Sequence, residues 1–173
     1  MENTFEINQK TYKIREIQPK DNKALAELIR YNLKNNGLDI KGTVYFDPEL
    51  NSLSDFYLNS KTRGYFILAD SDDNVVGGIG FAEFPHFDSC AELQKLYLAD
   101  CVKGFGLGYA LINYVEGKMT EAGFEASYLE THENLKTAIH IYEKSGYSRI
   151  DRPETVVHGA MTHFYFKKID FSK

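Results

Sequence analysis

Along this chain the apolar positions change period repeatedly, and each change marks an element. Tyr12 and Ile14 alternate with Lys13 and Arg15, the two-residue period of a strand, after a polar, loose lead-in over residues 1–10. Asp21 is placed to cap a helix whose apolar face is Leu25, Leu28, Ile29 and Leu33, and Asn35-Asn36-Gly37 stops it. Asp47-Pro48-Glu49 opens a second helix with Leu50, Leu53, Phe56 and Tyr57 on one face. Strands follow at 64–69, 75–84 and 90–98, separated by the turn clusters Asp70 to Asn74 and Pro85 to Ser89, an antiparallel meander. Gly77, Gly78 and Gly80 inside the middle strand point to a bulge or to close approach by another group. Leu107, Leu111, Val115 and Met119 recur at helical spacing. Phe124 to Thr131 reads as a strand, and Leu135, Ala138, Ile139 and Tyr142 as a helix face capped by Asn134 and ended by Gly146. Strands at 147–150 and from His158 to Ile169 complete the chain. No repeat, linker or low-complexity tract interrupts it, so one α/β domain over residues 1–173 is expected.

The stretch with most chemical content runs from Leu93 to Leu111. Leu93, Leu96 and Leu98 with Tyr97 form an apolar strand, and Gly104, Gly106 and Gly108 then alternate into the start of the next helix. The first amides of a helix lack intrahelical partners, glycine lets a ligand approach them, and the helix dipole adds positive potential. The sum is a phosphate cradle, to which Lys103 offers a charge. Glycines spaced this way also serve a plain tight turn. A P-loop would need Lys-Ser/Thr after the last glycine, where Tyr109 stands. A dinucleotide fingerprint would need glycine at 109 or 111, where Tyr109 and Leu111 stand.

Composition narrows the classes. A net charge of −5 over 173 residues argues against general nucleic-acid binding. Cys90 and Cys101 are the only cysteines, without metal spacing and too far apart along one strand for a disulfide, so they read as free thiols in a reducing compartment. Met1 to Phe5 lacks the pattern of a signal peptide, and no apolar run reaches the roughly 20 residues of a membrane span. A cytoplasmic location is expected.

Two segments resemble the GNAT N-acetyltransferases. Lys103-Gly104-Phe105-Gly106-Leu107-Gly108 is similar to the family's Arg/Gln-x-x-Gly-x-Gly/Ala loop, with lysine in the first place. Glu130-Thr131, then Ala138-Ile139-His140-Ile141-Tyr142-Glu143-Lys144-Ser145-Gly146-Tyr147, resembles the family's closing motif in the right order. The match covers roughly residues 65 to 150; the first 60 match in layout alone. It implies the GNAT fold: a mixed sheet of about six to seven strands with an antiparallel N-terminal meander, about four flanking helices, and a V-shaped split between the fourth and fifth strands. It implies an enzyme that moves the acetyl group of acetyl-CoA to a primary amine of a small molecule, amino acid or peptide, in a ternary complex and without a metal. A non-catalytic acyl-CoA-binding module of the same fold is the alternative, and homodimers are a further expectation.

The resemblance also distributes roles. The pantetheine arm of acetyl-CoA would pair with the backbone of Leu96, Tyr97 and Leu98, and the pyrophosphate would rest on residues from Gly104 through Tyr109. Asn134 stands one residue off the family's spacing for an asparagine that bonds the pantetheine. Glu92 and Glu130 are the candidate bases, with His132 third; strand alternation puts Glu92 on the same face as Leu98. Tyr142 falls where the family keeps its general acid, although it also sits on an apolar helix face. Tyr45, Phe46 and Asp47 are placed to touch the acceptor.

Overall fold

The computed structural model of the protein describes residues 3–156 and 159–169. Its strands are β1 (Thr4–Ile7), β2 (Lys10–Glu16), β3 (Gly64–Ala69), β4 (Val75–Glu83), β5 (Cys90–Leu98), β6 (Ala126–Thr131), β7 (Ser148–Ile150) and β8 (His163–Lys168). Its α-helices are α1 (Asn22–Asn35), α2 (Leu53–Tyr57), α3 (Leu107–Glu121) and α4 (Lys136–Lys144). The strands form one eight-stranded sheet in the order β1-β2-β3-β4-β5-β6-β8-β7. Only β5 and β6 run parallel among the paired neighbours.

The expected six to seven strands become eight because the polar lead-in is itself a strand. β1 pairs with β2 from Thr4↔Lys13 to Ile7↔Lys10. Asn8 and Gln9 close this hairpin at φ 51° and 62°, the left-handed pair of a two-residue turn. The last strand is shorter than expected: β8 begins at His163, and His158 lies outside the described residues.

Apolar side chains cover both faces of the sheet. On one face Phe66, Leu68, Phe81 and Leu93 pack with Leu107, Leu111, Val115 and Met119 of α3. Burial of such side chains is worth about 2 kcal/mol each, the main force setting helix on sheet. On the other, Leu25, Ile29 and Leu33 of α1 and Leu53 and Tyr57 of α2 cover Tyr65 and Ile67. Asn22 links these two helices: its Nδ2 donates to Ser54 Oγ at 2.8 Å, and its Oδ1 accepts from the Ser54 amide at 2.9 Å. Asp21 precedes α1 but does not cap it with its side chain. Its carboxylate instead accepts two bonds from the Arg15 guanidinium, at 2.7 and 2.9 Å. A buried carboxylate gains more from that bidentate cation than from one amide.

The glycines of β4 have a steric cause. A Cβ on Gly78 or Gly80 would lie 2.6 Å or 2.5 Å from the Tyr65 ring. The ring therefore lies flat across β4, and its hydroxyl donates to the Lys95 carbonyl at 2.7 Å.

That carbonyl belongs to a bulge. Gly78 faces Tyr97 but Gly80 faces Gln94, so β5 carries one residue more than β4. Lys95 takes it up at φ 52°. The bulge shifts the alternation: Leu93, Leu96 and Leu98 share the α3 face, while Tyr97 packs on the α1 side. Glu92, bonded through Gln94 to Tyr57 of α2, therefore lies on the face opposite Leu98, correcting the expectation from strict alternation.

Candidate active site at the split between β5 and β6

β5 and β6 pair at three positions only, Cys90↔Ala126, Ala91↔Ser127 and Glu92↔Tyr128. Beyond Glu92 the bulge turns β5 away, while β6 stays with β8 through Thr131↔His163. This is the expected split; the extra N-terminal strand makes it fall between the fifth and sixth strands. A cavity of about 410 Å³ fills the opening, and Leu96, Tyr97 and Leu98 line one side. The amide of Ala99 donates to Val76 of β4, so by two-residue alternation the amides of Leu98 and Leu96 turn the other way, into the gap. Asn32 of α1 donates from Nδ2 to the Leu98 carbonyl at 3.2 Å, on that same side.

The glycine turn lies at the far end. Gly104 and Gly106 have φ of 83° and 78°, and Gly106 directly precedes α3. A Cβ on either would meet nothing within 4 Å. Their freedom is needed for backbone direction and leaves open space over the turn. Among the described residues, the amides of Gly104, Phe105, Gly106, Leu107 and Gly108 donate to no group of the chain, whereas those of Tyr109 and Ala110 return to the Gly106 carbonyl. Five free donors at a helix start fit a diphosphate. Gly108 has a different reason to be glycine, since its Cβ would lie 2.9 Å from Ile141 of α4. Phe105 is exposed beside them. Lys103 lines the cavity but its ammonium pairs with Asp100 at 2.6 Å, and Asp100 also accepts from Tyr31 at 2.7 Å.

At the apex, where the strands part, the carboxyl groups of Glu92 and Glu130 lie together in the cavity lining. Burial pushes the Glu92 carboxyl up to about 7. The Gln94 N–H bond and the Lys95 charge act against that rise, and the like charge of Glu130 adds to it. Gln94 Nε2 donates to Glu92 Oε2 at 2.7 Å, while its Oε1 accepts from Tyr57 at 2.7 Å. The Glu92 carboxylate is thus held in a hydrogen-bonded chain anchored on α2.

Tyr142 of α4 is buried among Tyr147 and Tyr165 and lines the same cavity. Its hydroxyl bonds to no described residue, unlike that of Tyr147, which donates to Ser127 at 2.7 Å. Burial raises its pKa and keeps it protonated. Asn134 is not the cap of α4, because Leu135 holds that position. Asn134 instead donates from Nδ2 to the Asn36 carbonyl at 2.9 Å, tying the loop before α4 to the end of α1 across the cavity rim. His132 accepts the Asn134 amide at Nδ1 and is a turn residue outside the lining. Tyr45 and Phe46 pack edge-to-face on each other, and Thr43 and Val44 of that loop form the wall.

Gln94, Lys95, Tyr57 and Asn32 belong to this site and were not singled out by sequence. Only the spacing of Leu93, Leu96 and Leu98, which breaks the two-residue period, signals the bulge that brings Gln94 and Lys95 beside Glu92. No group of three or more His, Cys, Asp or Glu able to hold a metal occurs among the described residues. None of their helices is long and apolar enough to cross a membrane.

The fold has close counterparts. A GNAT-family acetyltransferase from Staphylococcus aureus Mu50 superposes with a TM-score of 0.81 at 21% identity, over 92% of this chain and 99% of that one. PaiA N-acetyltransferase from Thermoplasma acidophilum, solved with coenzyme A, gives 0.72 at 21% identity, over 91% and 98%. In sequence, the uncharacterized N-acetyltransferase YjgM of Escherichia coli K12 is 35% identical over 140 residues, 80% of this chain and 83% of YjgM. The family model for GNAT acetyltransferases matches residues 32–147, from α1 through the end of α4. The split sheet and its glycine turn are thus those of a known lineage, and the chain belongs to the GNAT acetyltransferase family.

Proposed function

We propose that the protein transfers the acetyl group of acetyl-CoA directly to a primary amine held beside it. The observation that carries this reading is the half-paired β5–β6 boundary, with unpartnered amides at one end of the gap and the Glu92–Glu130 pair at the other. Acetyl-CoA supplies the acetyl group as an activated thioester. The amides of Gly104 through Gly108 hold its diphosphate, and the exposed edge of Leu96 to Leu98 holds its arm. The Leu96 N–H donates to the thioester carbonyl and stabilises charge developing there.

Glu92 takes the proton that the amine must lose before its nitrogen can bond to the carbonyl carbon. Near pH 7 its raised carboxyl is partly ionised and can still accept a proton, the balance a general base needs. As the carbon–sulfur bond breaks, the Tyr142 hydroxyl gives its proton to the departing thiolate. Burial keeps the phenol protonated, so the proton is present to give, and the hydroxyl has no partner within the described residues.

Two measurements separate the possibilities. Calorimetry with acetyl-CoA tests the seat, and thiol release against a panel of amines tests the transfer. Binding with no thiol release from any amine would leave a coenzyme-binding module; absence of binding would remove the proposal altogether.

A further inference from the structure

We propose that the acceptor carries a carboxylate beside its amine, in the manner of an amino acid, and that Lys95 is the residue that holds it. This rests on the acetyl-transfer reading above and narrows its substrate class.

The bulge in β5 is what aims Lys95. Unbroken alternation would put it on the side opposite Gln94; the extra residue instead sets Glu92, Gln94 and Lys95 on one face of the sheet. Lys95 lines the same cavity as Glu92 and Glu130, with its ammonium 5.9 Å from the centre of the Tyr57 ring. That ammonium forms no hydrogen bond and no ion pair with any described residue. The carboxylates of Glu92, Asp47 and Glu49 contribute to its electrostatic field, but none of them is an ion-pair partner. Burial dominates, and it moves the lysine pKa down from its ordinary value.

Such a lysine is costly in two ways. A side-chain-bearing residue at φ 52° is strained. A half-buried cation without an ion-pair partner adds a desolvation cost. Features that cost stability without a structural return collect where ligands bind. The Tyr65 hydroxyl, fixed on the Lys95 carbonyl, keeps this conformation in place.

The arrangement matches a zwitterion. The amine goes to Glu92, which must take its proton, and an anion meets Lys95 on the same face. The acidic neighbours favour a singly charged carboxylate over a phosphate monoester, which would add a second negative charge among Glu92, Glu130, Asp47 and Glu49. Lys95 is on this account a specificity-determining residue.

The test compares amino acids with the amines made by removing their carboxylate: leucine with isoamylamine, phenylalanine with phenethylamine, and β-alanine with ethylamine. Phosphoethanolamine serves as the phosphate arm. Each is titrated calorimetrically into protein saturated with CoA, and each is assayed for thiol release with acetyl-CoA. The expected result is a preference of about tenfold to a hundredfold for the acid over its amine in kcat/KM, the range of one charge-assisted bond. Lys95→Asn, which tolerates the left-handed backbone, should erase that ratio, and Lys95→Arg should keep most of it. Acetyl-CoA affinity of each variant verifies that the fold persists. Amines used as well as or better than their acids overturn the assignment, as does a ratio that survives Lys95→Asn or a preference for phosphoethanolamine. Those outcomes leave the acetyltransferase reading standing; that reading falls only if acetyl-CoA does not bind or no amine releases thiol.

Discussion

Replacing Glu92 by Gln should make the protein more stable and nearly inactive at the same time. Burial and the like charge of Glu130 lift the Glu92 carboxyl from 4.5 to about 7 in the folded chain. At ~1.4 kcal/mol for each factor of ten, keeping it ionised in the fold costs about 3 kcal/mol at alkaline pH. The sign follows from linkage. A carboxyl raised on folding favours the native state below its unfolded value, and that contribution is lost as pH rises through about 7. Glutamine never ionises and still offers an oxygen to Gln94. The variant should therefore gain up to about 3 kcal/mol at pH 8.5 relative to the parent, and almost nothing at pH 4. For a chain of this size that is roughly 6–12 °C in Tm, followed by calorimetry or circular dichroism across the pH range. Turnover at saturating acceptor should fall by about 10² to 10⁴, the usual worth of a positioned base. In the parent, kcat should decline below about pH 7, a limb that belongs to the Glu92–Glu130 pair. A variant no more stable at pH 8.5 than the parent, or one keeping most of its turnover, would refute the idea that a desolvated carboxylate acts as the base.

Three further substitutions probe other parts of the site. Gly106→Glu fills the open space over the turn and opposes phosphate charge, so calorimetric acetyl-CoA affinity should vanish, while the φ of 78° limits the folding cost to about 1–2 kcal/mol. Tyr142→Phe removes one oxygen from the cavity wall; kcat should drop at least tenfold with the acetyl-CoA Kd nearly unchanged, and an unaltered kcat would return this residue to a packing role. Gly80→Ala sets a Cβ 2.5 Å from the Tyr65 ring and 2.9 Å from the Gly64 carbonyl, and urea unfolding should show a loss of about 2 kcal/mol or more.

The sequence is most readable where one apolar face is buried by regular elements. Strands 64–69 and 90–98 appear where expected, and so does the helix following Gly106. The antiparallel meander follows from their order, and the split from the resemblance to the GNAT family. What stays hidden has local physical causes. β1 is short and half polar, and its turn uses Asn8-Gln9 where glycine would be the usual signal. Asp21 and Asn134 look like helix caps, but each finds another partner: Asp21 the Arg15 guanidinium on the preceding strand, Asn134 the Asn36 carbonyl far away in sequence. Lys95 looks like an ordinary surface lysine until the bulge turns it inward. The glycines of β4 are conspicuous, yet the reason for them is an aromatic ring on the neighbouring strand.

The placement of β8 between β6 and β7 bears on how the protein is made. A ribosome releases β6, α4 and β7 before it delivers the strand that must lie between β6 and β7. Until then the Glu130 strand has an open flank, and the nascent chain carries an unsealed ladder that invites pairing with its neighbours. β8 is accordingly the strand that closes this part of the sheet, and a chain cut short just upstream of it would carry the glycine turn without a finished wall behind the split.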